Sequence, residues 1–176
     1  GYELHIGSDG IPVVTFRNGA SWLDVKGKVP LSVSKWTHLA ASFDGSLCKL
    51  YVNGTLTATA SATSYVPGTV NMIIGRRSSG ACLFNGIIDE MRVWNTVRSQ
   101  PEIIGSFRSS FTRPSGISNL ISAYKSNQGT AGGDNRSINA LEDYSASRSL
   151  GVLKGFDLTA GNTTSNFEAG YDASDA

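Results

Sequence analysis

Charge is scarce in this 176-residue chain: Asp, Glu, Lys and Arg together make up 16% of it and leave a net charge of only +1. The Lys and Arg residues are scattered, so no basic stripe is present to track a phosphate backbone, which argues against nucleic acid as a partner. No apolar run approaches the ~20 residues that a bilayer-crossing helix needs. No charged-then-apolar signal segment opens the chain either, so no membrane insertion is expected. Histidine is limited to His5 and His38, and no nucleophile elbow, phosphate loop or zinc-protease helix can be found. Catalysis is therefore not expected. Cys48 and Cys82 are the only cysteines, too few and too far apart for a zinc motif, and leave open a single disulfide or two quiet core thiols.

What is abundant is turn chemistry. Twenty glycines, with Ser, Thr and Asn throughout, suit short strands joined by many turns. Ser8-Asp9-Gly10, Arg17-Asn18-Gly19, Phe43-Asp44-Gly45 and Val52-Asn53-Gly54 punctuate a period-2 pattern from Gly1 to about Ile74. In Lys35 to Phe43 the alternation sets Leu39, Ala41 and Phe43 on one face and Trp36, His38 and Ala40 on the other. A hairpin is expected to join this strand to Leu47–Val52, through Asp44-Gly45 or a slightly longer loop. Thr69 to Gly75 and Leu83 to Trp94 read as further strands. Both parities of the latter are apolar, which predicts cover on both faces and deep burial.

One helix signal follows. Ser99-Gln100-Pro101-Glu102 reads as a capping box with Pro in the first turn, and Ile103, Ile104 and Phe107 keep helical spacing, predicting a short helix ending near Phe111. After Arg113-Pro114-Ser115-Gly116, Leu120–Tyr124 reads as a strand, Gly129 to Asn139 as a Gly- and Asn-rich loop, and Leu150–Leu158 as a strand pair or bent strand. The tail from Gly161 is polar and expected to be loose. No internal repeat is found.

Trp36-Thr37-His38-Leu39-Ala40-Ala41-Ser42-Phe43-Asp44-Gly45 followed by Lys49-Leu50-Tyr51-Val52-Asn53-Gly54 resembles the hallmark hairpin of laminin-G-like, concanavalin-A-like lectin domains. Ile74-Gly75-Arg76 and Phe84-Asn85-Gly86-Ile87-Ile88-Asp89-Glu90-Met91-Arg92-Val93-Trp94-Asn95 continue the likeness in family order. Residues 120–167 resemble a segment that accompanies such domains in large secreted bacterial surface proteins. The resemblance implies an all-β, antiparallel two-sheet jelly-roll sandwich with one short helix. Residues 1–113 form its core, and 114–176 supply additional strands and a polar tail that complete it or open a following module. The chain opens at Gly1 directly on strand-like residues, from which a longer precursor is expected.

The implied function is a non-catalytic carbohydrate-binding or adhesion module of a secreted or cell-surface protein, with a glycan or a neighbouring surface protein as partner. The alternatives are a structural or assembly domain and an accessory module of a polysaccharide-degrading enzyme. Glucanases of the superfamily carry acidic residues at alternate strand positions, whereas Asp89 and Glu90 are adjacent and would point to opposite faces of a regular strand.

The resemblance also implies calcium, with Asp89, Glu90 or Asp143 as ligands. The competing readings have Asp89 capping turn amides or pairing with Arg92 or Arg76, Glu90 facing solvent, and Asp143 holding an Asx turn. Sugar binding requires an aromatic platform beside polar groups. Trp36 and Trp94 lie inside strand patterns and read as core, which leaves Trp22 and Tyr65, near turns, as the expected stacking rings. His38, on the face opposite Leu39, either points into a concave groove or is satisfied by a neighbouring carbonyl. Asn53-Gly54-Thr55, Asn135-Arg136-Ser137 and Asn162-Thr163-Thr164 match the glycosylation sequon and on a bacterial reading are coincidences of turn composition.

Overall fold

Turn residues decide where the strands of the first part begin and end. The computed structural model describes residues 1–109, 117–162 and 166–167. The chain divides into two units, Gly1–Met72 with Val97–Ser109, and Ile73–Thr96 with the described residues after Ser109. In the first, β1 (Tyr2–Ile6), β2 (Pro12–Asn18) and β3 (Ser21–Lys26) form one antiparallel sheet in that order, and β4 (Leu39–Phe43), β5 (Leu47–Val52) and β6 (Thr55–Ser61) form another. Asn18 pairs with Ser21 across a two-residue loop in which Gly19 takes a positive φ. Asn53 and Gly54, both at positive φ, make the tight turn between β5 and β6 that an Asn-Gly pair favours. The β4–β5 connection is the longer of the two expected options: the Asp44 carboxylate accepts the N–H groups of Ser46 and Leu47 at 2.9 and 2.7 Å and shapes the loop.

The two sheets face each other across an apolar layer. Val14, Phe16 and Val25 from the first sheet meet Cys48 and Leu50 from the second, with Ala62 just after β6, and Leu50 is completely buried. Phe43 lies 5.6 Å from both Phe16 and Tyr65. This layer carries the hydrophobic stabilisation of the unit, at roughly 1.5–3 kcal/mol for each large side chain fully withdrawn from water.

Helix α1 (Gln100–Ser106) begins as expected, with Glu102 reaching back to the Ser99 N–H at 2.8 Å and Pro101 in the first turn. It is capped at Phe107, before the expected end near Phe111, which lies outside the described residues. The helix packs on the β5–β6 turn. A Cβ on Gly54 would sit 2.7 Å from Ile104 Cγ1, and the Gln100 amide donates to the Gly54 carbonyl at 2.9 Å.

The second unit contains β7 (Met91–Trp94) paired with β8 (Leu120–Tyr124), and β9 (Ala140–Leu141) paired with β10 (Gly151–Val152). Its described buried positions are apolar at Leu120, Ala123, Tyr124 and Leu158 and polar at Ser122, Asn135, Asp143 and Ser145. Asp143, 2% exposed, accepts the N–H groups of Ala123 and Ser145 on one oxygen and that of Ser149 with the Ser147 hydroxyl on the other, all within 2.8–3.0 Å. Buried Asn135 donates to the Thr130 and Gly133 carbonyls and to Asn166 Oδ1, and accepts the Thr130 N–H. The Gly- and Asn-rich loop is thus a hydrogen-bonded structure built around one amide.

Several expectations are corrected. Thr69–Gly75 is not a strand, and Leu83–Glu90 precedes the strand that begins at Met91. Cys82 and Glu90 take φ values of 54° and 51°, which interrupt extended backbone. Leu83, Phe84, Ile87 and Ile88 are all exposed, Leu83 by 76%, so the apolar run on both parities does not mark a central strand. Strand β4 starts at Leu39, after Trp36 and His38. The Arg113–Gly116 turn and most of the tail after Gly161 lie outside the described residues. The fold is all-β with antiparallel sheets and one short helix, consistent with the expected sandwich.

Candidate functional site

The outer face of the β1–β3 sheet collects the polar side chains of the first unit. In β3 the residues alternate, with Leu23 and Val25 turned toward the apolar layer and Trp22, Asp24 and Lys26 turned away. The hairpin register then fixes their neighbours: Arg17 opposite Trp22, Thr15 opposite Asp24, Val13 opposite Lys26. Across the other edge of β2, Glu3 stands opposite Thr15 and His5 opposite Val13. Three rungs result: Arg17 with Trp22; Glu3, Thr15 and Asp24; and His5, Val13 and Lys26.

The geometry suits hydroxyl-rich ligands. Trp22 is 55% exposed, with the Arg17 guanidinium 5.7 Å from its ring centroid. Arg17 is steadied by a 3.1 Å hydrogen bond from Nε to the Gly19 carbonyl. The Thr15 hydroxyl donates to Asp24 at 2.6 Å, and Glu3 lies 3.9 Å from the His5 ring. Lys26 pairs at 2.6 Å with Asp9 from the β1–β2 loop, and that hydrogen bond holds the Asp9 carboxyl below its usual range. The hairpin tip is anchored, since Asn18 accepts the Ser64 N–H at 2.9 Å and Val66 donates to the Arg17 carbonyl at 3.0 Å. An aromatic ring beside charged and hydroxyl groups on a rigid sheet can stack an apolar ring face and pair hydroxyls at once.

Of the expected stacking rings, only Trp22 is on this face. Tyr65 packs against Phe43 at the edge of the apolar layer, where burial pushes its phenol up. Trp22 and Tyr65 therefore lie on opposite sides of the sheet. His38 is also elsewhere: its backbone exchanges hydrogen bonds with Asn53, side chain and main chain, at 2.9 Å, and its ring lies 5.4 Å from Phe107. Glu3, His5, Thr15, Arg17, Asp24 and Lys26 were missed as a group. The signal was present in the alternation of residues 22–26 together with the register that Asn18-Gly19 imposes on β2.

The residues expected to hold calcium are engaged otherwise. Asp89 accepts the N–H of Glu90 at 2.7 Å, and Glu90, instead of facing solvent, pairs with Arg92 at 2.9 Å in a largely buried contact. Asp143 holds the Asx turn to Ser145 within its four-donor network; burial pushes its carboxyl up, but the donors outweigh that and hold it below its usual value. A carboxylate surrounded by N–H and O–H donors leaves little for a cation, which needs six to eight oxygen ligands in the calcium case. Among the described residues no group of three or more His, Cys, Asp and Glu side chains gathers. In this structure each of the three carboxylates is engaged by the chain's own donors.

Cys48 and Cys82 are both free thiols, the first buried in the apolar layer and the second exposed, so neither the disulfide nor a pair of core thiols is formed. Asn135 is buried with its amide fully used, which disqualifies its sequon structurally; Thr163 and Thr164 of the third lie outside the described residues. Among the described residues no helix is long and apolar enough to cross a membrane.

Comparison with known proteins agrees with the sheet architecture. A solved structure of a candidate carbohydrate-binding protein from Bacteroides ovatus superposes with a TM-score of 0.66 at 21% identity, over 86% of this chain and 44% of that one. Mouse pappalysin-1 is 35% identical over 77 residues, 40% of this chain and 5% of its own, so the chain spans about a twentieth of that curated relative. The family model described as the concanavalin A-like lectin/glucanases superfamily matches residues 1–104. With more than half of its length matched, and with the two-sheet packing seen in its first unit, the chain belongs to the concanavalin A-like lectin/glucanase superfamily.

Proposed function

We propose that this domain is a non-catalytic carbohydrate-binding module of a secreted or cell-surface protein, and that it binds through the outer face of the β1–β3 sheet. The observation that carries the reading is Trp22, a large ring left 55% exposed on a rigid strand and flanked by Arg17 and Asp24. An exposed ring on a strand, set among polar side chains, offers the kind of stacking platform that sugar chemistry uses. Membership of a lectin-containing superfamily and the likeness to a candidate carbohydrate binder support it.

The test is a glycan-array screen of the wild type and Trp22→Ala, followed by calorimetry on hits. Array hits that weaken at least tenfold in the variant, with an unchanged melting temperature, are the expected result. An array without hits, or hits indifferent to Trp22, would overturn the reading. Release of new reducing ends from a bound oligosaccharide would overturn the non-catalytic part alone.

A second reading, assembly with another protein, is favoured by a different observation. Ile73, Ile74, Leu83, Phe84, Ile87 and Ile88 expose apolar side chains within one short segment of the second unit. Concentration-dependent association in light scattering, abolished by Ile87→Ser with Leu83→Ser, would favour it.

A further inference from the structure

The inner face of the β1–β3 sheet is not covered along its whole width. Tyr2, Leu4 and Ile6 alternate along β1, and the register sets them opposite Phe16, Val14 and Pro12 of β2. Partners across an antiparallel pair point to the same side of the sheet, and Phe16 and Val14 belong to the apolar layer. The three β1 side chains therefore face inward with them. Yet Tyr2 is 60% exposed, and Leu4 and Ile6 are exposed as well.

The facing sheet gives the reason. Phe43 of β4 packs on Phe16 of β2, while β5 and β6 lie against β3. The order β4-β5-β6 makes β4 an edge strand, paired only with β5, and within this unit the place beside it, across from β1, is without a strand. Ala41, whose register partner Leu50 is completely buried, is exposed at that same margin. The result is a slot for one strand, with Tyr2, Leu4 and Ile6 as its floor and the free backbone of β4 as its wall. Edge strands are commonly protected by charge, proline or a bulge. Strand β4 reads Leu39-Ala40-Ala41-Ser42-Phe43 in unbroken register and has none of these.

A strand that fits the slot adds to the sheet edge through its backbone and fills the floor with apolar side chains at alternate positions. Both β1 and β4 are five residues long, so three such side chains are needed. Val70-Asn71-Met72-Ile73-Ile74 supplies that pattern without a charge. It lies outside every strand, and Val70, Met72 and Ile74 are all exposed. None of its residues takes a positive φ, which first appears at Gly75, so the segment is free to extend.

We propose that two copies of this chain associate by strand exchange, the Val70–Ile74 segment of each pairing with the β4 edge of the other and setting Val70, Met72 and Ile74 on Tyr2, Leu4 and Ile6. A two-fold exchange uses each slot and each donor once and closes on itself. The slot is on the side of the sheet away from Trp22, so association and sugar binding are independent.

Sedimentation velocity over a wide concentration range tests this. The wild type should form dimers. Leu4→Arg, which blocks the slot, and Met72→Arg, which spoils the donor, should each weaken association at least tenfold. An equimolar mixture of the two variants should regain it in part, because the intact donor of the first fits the intact slot of the second. Trp22→Ala, and Leu83→Ser with Ile87→Ser, should leave it unchanged. Should either Arg variant fail to fold, hydrogen exchange on the wild type carries the test: the β4 amides should be protected at high concentration and exchange faster on dilution.

A wild type that stays monomeric throughout would overturn the inference. So would dimers indifferent to both Arg variants, a mixture of folded variants that regains nothing, or β4 amides that ignore dilution. Dimers without hits on the glycan array would leave this inference standing and remove the sugar-binding reading, and array hits on a strict monomer would do the reverse.

Discussion

The two units of the chain are held together by different means. In the first, side chains from facing sheets interlock, with Val14, Phe16, Val25, Cys48 and Leu50 forming a continuous apolar layer. In the second, short strand pairs are organised by buried polar side chains: Asp143 gathers four donors and Asn135 ties the Gly-rich loop to Asn166. An apolar layer tolerates approximate shape and loses stability in proportion to the volume removed. A hydrogen-bond hub works only when complete, because each donor left unpaired in the interior is penalised separately. The same chain thus presents two kinds of sensitivity to mutation.

The contrast is broken most severely in the first unit. Leu50→Ala should cost about 2–5 kcal/mol in urea unfolding, the range for emptying a well-packed site; a loss under about 1 kcal/mol would mean that the layer collapses to fill the gap. Next comes the hub. Asp143→Ala should cost about 2–3 kcal/mol and should speed hydrogen exchange at the Ala123, Ser145 and Ser149 amides while leaving β2 and β5 protected.

Acid should imitate that variant. The folded carboxyl titrates below its ordinary value of 3.8, so its contribution is intact above that pH and is lost as the pH falls through the lower, folded value. Protection of those three amides should therefore fail selectively below about pH 4; uniform loss across both units would refute the local account.

Gly54→Ala should cost about 1–2 kcal/mol from the positive φ alone, with more from the contact to Ile104. Its signature should be loosening of α1 in nuclear magnetic resonance spectra without a change in the second unit. The smallest effect is expected from calcium: replacing EDTA by calcium chloride should leave the melting temperature unchanged, since bound ligand raises it by mass action. A clear rise would show that calcium binds and would make Asp89, Glu90 and Asp143 the first residues to test.

The first unit was largely legible in the sequence, because its determinants are local. Asn18-Gly19 and Asn53-Gly54 name their turns, period-2 alternation names the faces, and Ser99 to Glu102 names the start of the helix. The second unit was not. Its apolar run from Leu83 to Met91 has strand composition, yet Cys82 and Glu90 adopt left-handed backbone there, and composition does not report which positions break an extended chain.

Asp143 was read as a metal ligand or an Asx turn. The turn exists, but the partners that make it a hub, Ala123 and Ser149, are visible only once β8 is in place. The candidate site was half legible for a related reason. Trp22 stands out as an aromatic near a turn, whereas the company it keeps depends on register, and Tyr65 is drawn inward by Phe43.

The unequal placement of the two cysteines supplies a reporter that requires no engineering. Cys48 sits in the apolar layer, where burial pushes its thiol up to about 11, while Cys82 is exposed. At neutral pH a maleimide should therefore attach to Cys82 at once and reach Cys48 only during openings of the first sandwich, because the thiolate is the reacting species. The slow second labelling step is then a clock for the opening of that unit alone, and a dye carried on Cys82 gives a separate optical signal from the other unit.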